Sequence, residues 1–202
     1  SITGKSAIIN GDAGTQLDVR ADGTAVMVYP SNPIIRYKWP QLMVGQYTPE
    51  GGSRGPFVSV PTDIWNSWQV IAPDIAVNAT GGVAVYSDYE EITYGEPDGY
   101  EIAYQRLDAN GRAVGDRTIA IYEQGNNPPR VDMNASGQFA IVVGSSDYNS
   151  TVDRYYGTVK LRVFDSNGVA LGATQTITQL PTPSNQLPVA SAPVIAMASD
   201  GS

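Results

Sequence analysis

The chain lacks two residue types altogether: it has no cysteine and no histidine among its 202 residues. Without cysteine there is no disulfide framework and no thiolate metal site. Without histidine the usual general base, triad member and metal ligand are all missing, which leaves carboxylates as the acid–base groups available. Charge is also sparse, at 16% of residues, and what there is leans acidic, with a formal net charge of -8. An acidic surface repels phosphate backbones, so nucleic-acid binding is not expected. No apolar run reaches membrane-span length. What the chain has in quantity is glycine (21) and proline (14), the composition of a polypeptide rich in turns.

Those turns recur. Leu17–Val28, Ile75–Tyr86 and Val131–Val142 each read as a short alternating strand, a polar turn closed by glycine, and a second alternating strand; Ile195–Gly201 begins a fourth copy. The closing glycines are Gly23, Gly81, Gly137 and Gly201, and each is expected to supply the positive φ of a tight hairpin. A second hairpin follows each first one, turning at Gly52, Gly111 and Gly168. Asp108-Ala109-Asn110-Gly111 and Asp165-Ser166-Asn167-Gly168 are near-copies with the signature of a type I turn followed by a left-handed glycine. The unit is therefore strand a, tight turn, strand b, long loop, strand c, tight turn, strand d, repeating at about 57 residues, as in a propeller blade.

The fold expected is all-β, a β-propeller segment of four-stranded antiparallel blades over 17–60, 74–121 and 130–179. Partial blades fall at both ends, a strand d at 7–10 and a strand a at 193–198. Residues 1–202 then form one domain, an excerpt of a larger ring. A β-sandwich of unrelated hairpins is the alternative.

Several segments carry a recognisable motif: Pro193-Val194-Ile195-Ala196-Met197-Ala198-Ser199-Asp200-Gly201, Ile102-Ala103-Tyr104-Gln105-Arg106-Leu107-Asp108-Ala109-Asn110-Gly111 and Arg162-Val163-Phe164-Asp165-Ser166-Asn167-Gly168. They resemble the blade-like repeats of large bacterial secreted and cell-surface proteins, some of them associated with RTX calcium repeats. The resemblance covers most of residues 17–201 and is weakest in the first repeat, where Gln46-Tyr47-Thr48-Pro49 lacks the Arg and Asp. It implies an extracellular or cell-surface setting and no catalytic residue.

Candidate binding residues come from the long connections, because loops on a rigid scaffold commonly carry function. The b–c loops are read as 30–41, 87–100 and 144–157, and the first d–a loop contains Asp63 to Trp68. Trp39, Trp65, Trp68, Tyr89, Tyr94, Tyr148 and Tyr155 gather on that one end, where rings suit carbohydrate stacking or protein contact. The competing reading is that these rings pack the loops onto the blades. Asp88, Glu90, Glu91, Asp98, Asp147 and Asp153 are oxygen ligands of the kind calcium takes, although no EF-hand spacing is present and solvated acidic loops are the simpler explanation. No cofactor is required.

The leading functional expectation is a structural or adhesive module binding a protein or surface glycan. The alternatives are a subunit polymerising through blade edges, and a glycoside hydrolase using Glu91 and Asp147. Asn78, Asn134 and Asn149 each begin a glycosylation sequon.

Overall fold

The computed structural model of the chain describes residues 14–31, 41–60, 70–90, 99–123, 127–149, 154–181 and 193–198. Those residues are all-β and contain no helix. Twelve strands form three four-stranded antiparallel sheets, and each sheet is made of consecutive strands. The first holds β1 (Gln16–Val19), β2 (Ala25–Ser31), β3 (Gln41–Tyr47) and β4 (Val58–Val60). The second holds β5 (Val70–Val77), β6 (Gly81–Glu90), β7 (Gly99–Asp108) and β8 (Ala113–Glu123). The third holds β9 (Arg130–Met133), β10 (Phe139–Asn149), β11 (Arg154–Phe164) and β12 (Gln175–Pro181). Three sheets, each complete within one repeat, replace the two that a sandwich of unrelated hairpins would give.

The sheets pack face to face in chain order, with β5 against β1, β2 and β3, and β9 against β5 and β6. The second sheet is therefore covered on both faces. Its central strand β6 meets that demand with Val83, Ala84, Val85 and Tyr86, all buried, a continuous apolar run in place of half-buried alternation. Ala84, Ala103 and Tyr86 face Val26, Val28, Leu42 and Val44 of the first sheet. Val83, Val85, Ile102 and Tyr104 face Phe139, Ile141 and Val143 of the third. Alanines at these stations let neighbouring sheets approach closely. Burying each larger aliphatic side chain contributes roughly 1.5–3 kcal/mol. In the second interface Phe139 and Phe164 stack at 4.9 Å and Tyr104 meets both rings obliquely, at 5.1 and 5.0 Å. Its hydroxyl donates to the Gly168 carbonyl at 2.7 Å.

The turns depart from the sequence reading at two places. Gly23 and Gly137 have positive φ, as expected, but Gly81 does not. In the first and third repeats the hairpin closes from Arg20 N–H to Thr24 O and from Asn134 N–H to Gln138 O, whereas in the second it closes from Asn78 N–H to Gly81 O. This turn is one residue shorter, and the Asn78 side chain stabilises it by accepting from Thr80 N–H and Gly81 N–H. Glycine is present there without the left-handed role. In the first c–d turn, Gly51 and not Gly52 is left-handed, matching Gly111 and Gly168. Aligned by strand pairing, Val26, Val83 and Ala140 are equivalent, and each is 57 residues from the next.

Within the expected b–c loops at 87–100 and 144–157, the described residues are all strand. The β6–β7 ladder continues to Glu90 opposite Gly99, and β10–β11 to Asn149 opposite Arg154. Asp88, Tyr89, Glu90, Asp147, Tyr148 and Tyr155 therefore sit in strands and not in loops. The polar character that suggested a loop does not prevent a strand, because the backbone ladder does not depend on apolar side chains. Segment 193–198 joins no ladder, but it alternates half-buried and exposed residues and is tied to the third sheet by one bond described below. The expected strand at 7–10 lies outside the described residues.

Candidate functional site

Two kinds of polar linkage recur between consecutive sheets. The first starts from an aspartate in the first strand of a sheet. Asp18 accepts from Val19 N–H with one carboxylate oxygen and from Val77 N–H, in the next sheet, with the other, both at 2.8 Å. Asp132 repeats the arrangement, accepting from Met133 N–H at 2.8 Å and from Met197 N–H at 2.6 Å. Asp74 accepts from Val131 N–H at 3.0 Å. The Asp18 and Asp74 bonds satisfy outward-pointing donors on the edge strands β5 and β9 of the following sheets, groups that would otherwise be open to foreign strands, and the Asp132 bond reaches segment 193–198 in the same way. Burial is the largest influence on Asp74 and raises its pKa, opposed by bonds from the Val131 and Ile75 N–H groups and by the Arg130 charge.

The second linkage joins strand c of one sheet to the c–d turn of the next. Gln46 donates to Ala109 O at 3.1 Å, and its counterpart Arg106 donates to Ser166 O at 3.3 Å. Arg20 adds a bond to Ala109 O at 2.7 Å. Between the second and third sheets this turn end encloses a cleft of about 260 Å³, with Asn78, Arg106, Asp108, Ser136 and Ser166 on its walls. The wall groups are largely committed to neighbouring turn residues. Asn78 donates to Asn134 O, and Ser136 donates to Asn134 Oδ1. Asp108 accepts from Asn110 N–H and Arg112 N–H, and the Arg112 bond is the largest influence lowering its pKa. The cleft has no signal in any single repeat, because it forms only when two repeats are brought together.

The same geometry explains two sequons. The amide nitrogen of Asn78 is bonded to Asn134 O, and Asn134 is buried, with its own amide donating to Gln138 and its oxygen accepting from Ser136 and Gln138. Both asparagines shape turns.

At the opposite end the ladders fix the neighbours of several predicted residues. Asp88 lies opposite Glu101, Tyr89 opposite Tyr100 and Glu90 opposite Gly99. Asp147 lies opposite Tyr156, and Tyr148 opposite Tyr155. Two tyrosine pairs thus share ladder rungs, one in each hairpin. Trp39, Trp65, Trp68, Tyr94, Glu91, Asp98 and Asp153 lie outside the described residues, so the two carboxylates suggested for glycoside hydrolysis are not brought together among those described. Among the described residues no three carboxylates converge as a metal site.

Sequence reasoning also missed two buried ion pairs near this end. Arg117 meets Glu101 at 2.6 Å within the second sheet, and Lys160 of the third sheet meets Glu123 of the second at 3.2 Å. The Glu123 side chain is 0% exposed. Arg162 adds a bond to Ala120 O at 2.7 Å. The Lys160 and Arg162 contacts join β11 of the third sheet to the outer strand β8 of the second, while the aspartate bonds hold the first strands.

Comparison with known proteins finds no matching family model, no matching curated protein and no matching solved structure.

Proposed function

We propose that the chain is a propeller-type module of the cell exterior whose work is binding, and that it engages a protein or surface glycan through the end where strands b and c meet. Three features support the propeller reading: the repeat, the face-to-face packing of consecutive four-stranded sheets, and the aspartate bonds that lay each first strand beside the next. The extracellular setting follows from the resemblance of the repeat motif. The reading needs no cofactor and assigns no catalytic residue.

One observation carries the choice of end. β9 pairs with β10 only as far as Val142, while β10 continues to Asn149 in unbroken pairing with β11. The arm thus extends seven residues beyond β9, about 23 Å at the usual strand rise, and its last rungs are Asp147–Tyr156, Tyr148–Tyr155 and Asn149–Arg154. Tyrosine offers a rigid amphipathic surface that serves protein and sugar alike. Glycan-array binding of the intact chain tests the carbohydrate half of this proposal. Signal that disappears in a Tyr148→Ala/Tyr155→Ala double variant with unchanged β-sheet circular dichroism supports the reading. A wild-type chain silent on the array removes glycan from the proposal, and protein capture by the same arm then decides the remainder.

A further inference from the structure

The outer strands β4, β8 and β12 occupy the same place in their sheets, and among the described residues each is paired along one edge only. Proteins normally blunt such edges by shortness, proline, bulges or charge. β4 is three residues long and lies between Pro56 and Pro61. β8 is interrupted by two register shifts, carries the left-handed Gly115, and includes Asp116, Arg117 and Glu123. β12 has little of this protection. It runs over seven residues, Gln-Thr-Ile-Thr-Gln-Leu-Pro, with one register shift, no charge, and proline only at its last position.

Two further observations point the same way. Residues 171–177, leading into and along β12, are all exposed, including Leu171 at 58% and Ile177 at 57%, and Val169 just before them is 61% exposed. In addition, no Asp, Glu, Lys or Arg occurs from Ser166 to Ser199, a run of 34 residues in a chain whose net charge is -8. Two copies of an acidic chain repel each other over most of their surface, and this region is where they approach without like charges meeting. A strand paired antiparallel with its own copy sets each side chain opposite a symmetry-related residue of the same strand. Uncharged Thr, Gln and Ile are favourable in such pairs, whereas charged residues meeting like charge are not.

We infer that β12 is a self-recognition edge: two copies of the chain join through β12 paired antiparallel with β12, making one continuous eight-stranded sheet about a two-fold axis.

The absence of native cysteine gives the test a clean background. The intact wild-type chain, measured by sedimentation at high micromolar concentration, is expected to show twice the monomer mass. Thr176→Lys should return it to monomer, and Thr118→Lys on the β8 edge should leave the dimer intact. Among Thr174→Cys, Thr176→Cys and Thr178→Cys, oxidised one at a time, at least one should give a disulfide-linked dimer. A wild-type monomer overturns the inference, as does a dimer that survives Thr176→Lys with no cross-link from any of the three cysteines. Open-ended multimers would overturn the two-fold arrangement. If Thr176→Lys lowers the circular dichroism signal of the fold, the cysteine variants decide alone.

Discussion

Asp18 and Val77 stand 59 residues apart in sequence, in different sheets, and are joined at 2.8 Å by a bond from the valine N–H to the aspartate carboxylate. The bond closes the exposed edge of β5 with a group from β1. Asp18→Ala leaves the Val77 donor without this acceptor, a loss of about 1–3 kcal/mol, and should lower the urea midpoint without changing its slope. Asp18→Asn keeps one acceptor oxygen and should recover part of the loss. Asp74 serves the other seam, but the Asp18 charge helps to raise its pKa, so the effects of Asp18→Ala and Asp74→Ala should depart from additivity.

Acid–base titration should separate the aspartates. Asp74 has a raised folded pKa, with burial the largest cause. Between the unfolded value near 4 and the raised folded value, the native state holds more protons than the unfolded chain. Stability from this group therefore falls as pH rises through that window. Asp108 and Asp22 are shifted down by turn hydrogen bonds, and their contribution is present above the unfolded value and lost as pH falls below it. Asp74→Asn should flatten the decline just above pH 4, and Asp108→Asn should flatten the loss on the acid side. Denaturation midpoints measured across pH read both. An Asp74→Asn variant that leaves the upper window unchanged would contradict the assignment.

Gly45 lies beneath the ring of Phe57, and a Cβ placed there would collide with Phe57 Cε1. Tyr29 and Tyr47 flank the same ring at 5.4 and 6.4 Å. Gly45→Ala should destabilise the first sheet by about 1–3 kcal/mol, as overpacking does. In a Phe57→Ala background the same substitution should be nearly neutral, and a double-mutant cycle measures the difference.

The inter-sheet ion pair gives a larger effect. Lys160→Met leaves the Glu123 carboxylate buried without its counter-charge, and loss of one partner of such a pair typically costs about 3–5 kcal/mol. The double variant Lys160→Met/Glu123→Met should recover most of that. Thermal unfolding of the three proteins measures the coupling.

Much of this architecture was legible because hairpins announce themselves locally. Asp108-Ala109-Asn110-Gly111 encodes its turn in four adjacent residues, and the structure closes it with Gly111 N–H to Asp108 O at 3.0 Å. Glycine by itself said less. Gly81 and Gly52 kept the period, yet the hairpin at 78–81 is shorter and Gly51 holds the left-handed station, because turn size depends on which pair closes and not on where glycine lies. The aspartate bonds had a signal in Leu17-Asp18-Val19 and Val131-Asp132-Met133, which align across repeats. Their meaning depends on sheet-to-sheet register, which no single repeat specifies. The extended arms were hidden for the opposite reason. Ser145-Ser146-Asp147-Tyr148-Asn149 is polar enough to read as loop, but a continuing ladder holds it as strand.

The second repeat places its fastening between sheets differently from the first and third. By pairing, Ala76 stands where Asp18 and Asp132 stand, while the carboxylate comes from Asp74, two residues earlier on the same face, and its acceptor bond falls correspondingly two residues earlier on β9. The join between neighbouring units thus behaves like a peg that fits any of several evenly spaced holes. A repeat grafted into a new order should therefore need one aspartate on the forward side of its first strand, at either of the two stations seen here.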